Sequence, residues 1–163
     1  MRQRVILFVL LLGLATVVGG WNALQYGLLA PWCEMAAELS ARVMQAFGSP
    51  VVQHGAVLQD PESHKAIVVS WGCSGADATF ILLSAILVYP SCWRAKLQGG
   101  VAGFIAIQGL NVIRIITLYH LNITNERLFN FAHAYLWQGL LMLDVLVFLL
   151  LWLRWQRTKC TIA

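Results

Sequence analysis

Charge is what this sequence has least of. Eleven Lys and Arg and seven Asp and Glu leave 18 charged residues in 163. That is 11%, where a soluble domain carries about 25%. Hydrophobic residues make up 60% and the mean hydropathy is +0.72. A soluble globule of this length cannot hide that much apolar surface, and a disordered chain needs the opposite composition. The four cysteines include no C-x-x-C pair, which argues against a disulfide scaffold and against a thiol–quinone redox protein. The four histidines form no pairs within an apolar stretch, so a diheme bundle is a poor fit. Scattered cations give no basic stripe, and no nucleic-acid partner is expected. What remains is a small integral membrane protein, read as one module over residues 1–163.

Four stretches are long and apolar enough to span a bilayer, which takes about 20 residues. They are Val5–Leu24, Trp71–Tyr89, Leu97–Tyr119 and Phe131–Leu153. Arg2 and Arg4 before the first stretch resemble a signal-peptide n-region. Its long apolar run and the lack of an A-x-A site favour an uncleaved helix. Lys and Arg near span ends set orientation. A cytoplasmic N-terminus puts Arg2, Arg4, Arg94, Lys96, Arg154, Arg157 and Lys159 inside, and Arg42, Lys65 and Arg127 outside. Both termini are then cytoplasmic, and residues 25–70 face out. The lipid bilayer is the expected constant partner.

The outer segment has structure of its own. Pro31 suits the first position of a helix and Gly48 its end. Trp32, Met35, Ala36, Leu39, Val43 and Phe47 recur at helical spacing, with Glu38, Arg42 and Gln45 opposite. The pattern predicts an amphipathic helix lying on the bilayer or on the spans. Two β-like runs follow, Val51–Leu58 and Lys65–Trp71, joined by Asp60-Pro61-Glu62-Ser63, and predict a small β-hairpin. The expected fold is an all-α four-helix transmembrane bundle carrying this outer helix and hairpin.

Buried polar residues carry the chemistry of a membrane chain. Cys73 opens the second span on its outer side, and His133 lies just inside the fourth. Arg114 sits roughly 9 Å below the outer end of the third, within reach of an upward-snorkelling side chain. A thiolate is a nucleophile, and nearby positive charge favours it. A His can protonate a leaving amine and an Arg can hold an oxyanion. Gly72 and Gly75 flank Cys73-Ser74 and let a substrate backbone come close. A helix dipole would also act on a Cys at its start. By spacing alone, His54 and His120 compete with His133, and a Cys33–Cys73 disulfide would block the thiol. Gln108, Asn111, Arg114 and Thr117 form a polar stripe on the third span. Asp77, one turn below Cys73, could pair with Arg114 or orient His133. Asp144 reads as structural.

Cys73-Ser74-Gly75, Asn111-Val112-Ile113-Arg114 and His133, in this order, resemble the exosortase/archaeosortase family of membrane cysteine transpeptidases. The likeness covers about residues 50–153. It is to a short form, similar to the exosortase H group, since many members carry about eight spans. The resemblance implies Cys73 as nucleophile, Arg114 as stabilising cation and His133 as acid/base. Asp77, Asn111, Ser74 and Gly75 would then stand behind them or touch substrate. It also implies a place in the bacterial inner membrane, exported protein substrates with a C-terminal motif, a hydrophobic helix and a basic tail, and no cofactor or metal. The competing reading is a non-catalytic assembly factor that binds other membrane helices through the polar stripe.

Overall fold

The computed structural model describes Gly13 and residues 30–160, with side chains through Arg157. The first expected span, residues 5–24, lies outside the described residues apart from Gly13. Chain order is α1 (Ala30–Ala46), β1 (Val52–His54), β2 (Val57–Gln59), β3 (Ala66–Val68), a 3-10 turn (Trp71–Cys73), α2 (Ala76–Val88), α3 (Trp93–Thr124) and α4 (Glu126–Phe131). A π-helical turn (Ala132–Leu136) then leads into α5 (Trp137–Cys160).

Among the described residues, two segments are long and apolar enough to cross a membrane, Trp93–Thr124 and Glu126–Arg157. The stretch 71–89 holds a shorter apolar helix, α2, of 13 residues. At 1.5 Å per residue it covers about 20 Å, less than a hydrocarbon core of about 30 Å. α2, α3 and α5 pack around Ala78, Leu82, Ile86, Ile107, Leu141, Val145 and Trp152. Gly99 lets the Nε1 edge of the Trp152 indole come up against α3, where an added Cβ would stand 2.0 Å from Nε1. The indole N–H donates to Ala95 O at 3.0 Å, so packing and a buried hydrogen bond fix the same contact.

A second core joins α1, the sheet and the far end of α3 through Ala37, Ala41, Met44, Leu58, Val69, Ile115 and Tyr119. α1 packs on this core through a face of mostly small side chains. α1 buries Cys33, Ala36, Ala37, Ser40, Ala41 and Met44, and leaves Met35, Leu39 and Phe47 exposed. Small side chains let the backbones approach closely, and the larger apolar residues are left facing outward.

The β-structure differs from the sequence expectation. Instead of one hairpin there is a three-stranded antiparallel sheet, β1-β2-β3. The run read as one strand folds back at Gly55-Ala56. His54 pairs with Val57, and Gly55 has φ +59, as a two-residue hairpin with glycine first requires. The expected turn at 60–63 does join β2 and β3. There the Asp60 carboxylate accepts from Ser63 N at 2.7 Å. The Ser63 hydroxyl and backbone N–H together hold the Asp60 carboxyl below the usual carboxylate range. Lys65 ties the sheet to α3 by donating to Asn122 O (3.0 Å) and Ile123 O (2.9 Å), two orphan carbonyls at the helix end.

Candidate active site

The turn between β3 and α2 links Val69 of one core to Ala78 of the other. Cys73 N donates to Ser70 O (2.9 Å) and Ser74 N to Trp71 O (3.1 Å), which closes one tight turn. The Ser74 hydroxyl also donates to Trp71 O at 2.7 Å. The Trp32 indole N–H, from α1, donates to Ser74 O at 3.2 Å. Gly75 follows in the left-handed region (φ 70, ψ 7) and starts α2. Its carbonyl accepts from Thr79 N and from Thr79 Oγ1. Cys73 therefore stands in the turn before α2 and not in its first helical turn, a correction to the expected position. Gly75 is demanded twice. A side chain would be strained at its φ, and a Cβ would come within 3.0–3.3 Å of the Asn111 side chain.

Two other elements bring polar groups to Cys73. Its Sγ lies 3.7 Å from His133 Nδ1. Arg114 Nη2 approaches Sγ to 3.7 Å from α3, and Nη1 donates to Gly72 O at 3.3 Å. Cys73 and Arg114 are buried and His133 is half-buried. His133 sits on the π-helical turn, a rare local geometry that is frequent at functional sites. Its ring stacks on Phe129 with centroids 5.7 Å apart and planes 7° from parallel, which fixes the imidazole plane. Arg114 has no carboxylate within ion-pair distance among the described residues. Burying a guanidinium without a counter-charge is costly. The ionisable groups nearest to it are the thiol and the imidazole.

The other candidates fall elsewhere. Asp77 points outward and is exposed. It interacts with the Trp71 indole and reaches neither Arg114 nor His133. Ser74 is fully buried and its hydroxyl is turned to Trp71 O, which makes it part of the turn's scaffold. Asn111 is fully buried beneath Gly75. Gln108 donates to Thr79 Oγ1 at 3.1 Å and so joins α3 to α2 one turn deeper. His54 and His120 are exposed, and His120 packs on Tyr119. Asp144 is half-buried on α5.

Cys33 and Cys73 are both free thiols. Burial pushes the Cys33 thiol up from its ordinary value, and the nearby Cys73 charge adds to the shift. A cavity of about 300 Å³ opens beside the turn, lined by Trp32, Trp71, Ala76, Phe80, Leu83 and Phe104, with Thr79 as its polar member. Residue types alone gave no sign of three features: the π-helical turn, the Phe129 stack and the Trp32 tether. The i, i+4 spacing of Phe129 and His133 was the one available clue. Among the described residues no cluster of His, Cys, Asp and Glu is arranged to hold a metal.

Comparison with known proteins matches residues 2–153 to the family described as transmembrane exosortase (EpsH). No curated protein and no solved structure matches the chain. The family match runs through the Cys73 turn, α3 and His133, and covers nearly the whole sequence. The chain belongs to the transmembrane exosortases.

Proposed function

We propose that this protein is a membrane cysteine transpeptidase that cleaves the C-terminal sorting signal of exported proteins and passes them to an acceptor. The observation that carries the reading is the convergence on one sulfur. A thiol from a tight turn, an imidazole from a π-helical turn and a buried guanidinium from α3 lie within 3.7 Å contacts.

In the first half-reaction His133 Nδ1 takes the thiol proton and Sγ of Cys73 attacks the scissile carbonyl carbon. The carbonyl oxygen becomes an oxyanion, and the Arg114 guanidinium, already beside the sulfur, supplies the opposing charge. The imidazolium gives its proton to the leaving nitrogen and the C–N bond breaks. A thioester remains on Cys73, and the released fragment leaves with the substrate's own apolar helix. In the second half-reaction His133 takes a proton from the acceptor, which attacks the thioester carbonyl and expels the Cys73 thiolate. With water as acceptor the same steps amount to hydrolysis. Asp77, Ser74 and Gly75 do not enter these steps. Ser74 and Gly75 shape the turn, and Asp77 stays outside it.

The cation distribution supports both termini on the cytoplasmic side and the Cys73 turn on the outer side, and the family supports a bacterial inner-membrane location. The spans proposed are residues 5–24, 71–89, 97–119 and 131–153. The test co-expresses the protein with exported proteins of its own genome that end in an apolar helix and a basic tail. Processing of such a tail is expected to stop in Cys73→Ala, Arg114→Ala and His133→Ala at normal membrane levels. Processing that continues in Cys73→Ala overturns the mechanism.

A further inference from the structure

Four buried side-chain polar atoms lack a hydrogen-bond partner among the described residues: Asn111 Nδ2, Asn111 Oδ1, Arg114 Nε and Trp137 Nε1. Three of the four belong to two residues one turn apart on the same face of α3. Asn111 is 0% exposed and Arg114 1%. Native interiors hold few such atoms, because a polar group buried without a partner is expensive. Leucine has nearly the shape of asparagine and would fill the same space without that cost.

The orphaned atoms define what would satisfy them. Asn111 offers the two N–H donors of Nδ2 and the acceptor Oδ1, and Arg114 Nε adds a further donor. A carboxylate or phosphate would use the donors and leave Oδ1 facing negative charge. An alkyl chain would use none of them. A peptide group, with one C=O and one N–H, uses both kinds.

Position agrees with chemistry. The Asn111 side chain lies directly against Gly75, two residues from the nucleophile, and the guanidinium of Arg114 already touches Sγ. We infer that Asn111 and Arg114 Nε form a subsite for a backbone peptide group of the substrate, next to the bond that Cys73 attacks. This deepens the transpeptidase reading and rests on it. The Gly75 turn covers the amide, so engaging it requires that turn to lift. Glycine is the residue that changes its backbone angles at least steric cost.

The test uses two reagents on the purified full-length protein, with adducts mapped to Cys73 by mass spectrometry. Methyl methanethiosulfonate reads the thiol alone and carries no amide. Acetyl-trialanyl chloromethyl ketone loses chloride as Sγ forms a thioether, and it presents three peptide groups to the site. In Asn111→Leu the ratio of the peptide-reagent rate to the small-reagent rate is expected to fall about 5- to 150-fold, the loss of one buried hydrogen-bonded contact. The thermal midpoint should hold or rise, since an unpaired amide is gone. Asn111→Ala should show the same fall in ratio. A wild-type ratio in both variants overturns the subsite, whether the two rates hold or drop together. A joint drop would mean that Asn111 only supports Cys73. An unsubstituted Cys73 that takes the small reagent and ignores the peptide reagent contradicts the peptide reading as well as the subsite.

Discussion

Gly75→Ala is the perturbation whose size the structure fixes best. At φ 70 an L-residue costs about 1–2 kcal/mol. The new methyl would also sit 3.0 Å from Asn111 Cγ and 3.1 Å from Asn111 Cβ, tighter than ordinary van der Waals contact. Asn111 is fully buried and cannot swing away without moving α3. The total is about 2 kcal/mol, or a fall of about 4–8 °C in thermal midpoint for a chain of this length. The strain falls two residues from Cys73, so the contacts from Sγ to His133 and Arg114 should loosen and processing should drop with stability. Gly72→Ala is the internal control. No heavy atom lies within 4 Å of its added Cβ and its φ is not in the left-handed region. Its stability should stay within about 0.5 kcal/mol of the parent. The assay is a thermal melt of the detergent-purified protein, paired with tail processing in cells. A Gly75→Ala protein as stable as the parent, or a Gly72→Ala protein that melts lower than Gly75→Ala, would refute the turn geometry.

Three other outcomes follow from the same contacts. Arg114→Met removes a buried cation that has no carboxylate partner, so the protein should melt at the same temperature or higher. Its tail processing should fall by a factor on the order of 10² to 10³, read by immunoblot of the tail. Cys33 is held above the ordinary thiol value by burial, so at pH 8 less of it is thiolate than of a free thiol. Its alkylation, followed by mass mapping against pH, should rise only above the ordinary thiol range; prompt labelling at neutral pH would contradict the packing of α1. Gly99→Ala places a methyl where the Trp152 indole lies and breaks its bond to Ala95 O. It should destabilise the bundle by about 1–3 kcal/mol, measurable in the same melts.

Much of the site was legible because depth in a membrane follows directly from residue number. Cys73, Arg114 and His133 could be placed at one level by counting residues from the span ends. What was not legible depends on local backbone geometry and on packing. Val51–Leu58 reads as one strand until Gly55 turns it back. The spacing of Met35, Leu39 and Val43 marks an apolar face on α1 for the bilayer or the spans, and Met35 and Leu39 are exposed. The face by which the helix packs on the protein, Cys33, Ala36, Ala37, Ser40, Ala41 and Met44, is mostly small side chains that hydrophobic spacing does not single out. Cys73 looked like the start of a helix, but Gly75 delays that start by taking a left-handed conformation. Asp77, one turn below Cys73, reads as a partner for Arg114 or His133, yet in the first turn of α2 it is exposed and reaches neither. The guanidinium is left with the sulfur, the Gly72 carbonyl and an orphaned Nε.

The central claim is that Cys73 becomes acylated by the substrate. The most direct measurement is peptide mapping of the protein taken from cells that also express a tailed exported substrate, with and without hydroxylamine. The account predicts a hydroxylamine-sensitive acyl adduct on Cys73 that is absent from Cys73→Ala. An adduct on Cys33, or continued processing with none on Cys73, would contradict it.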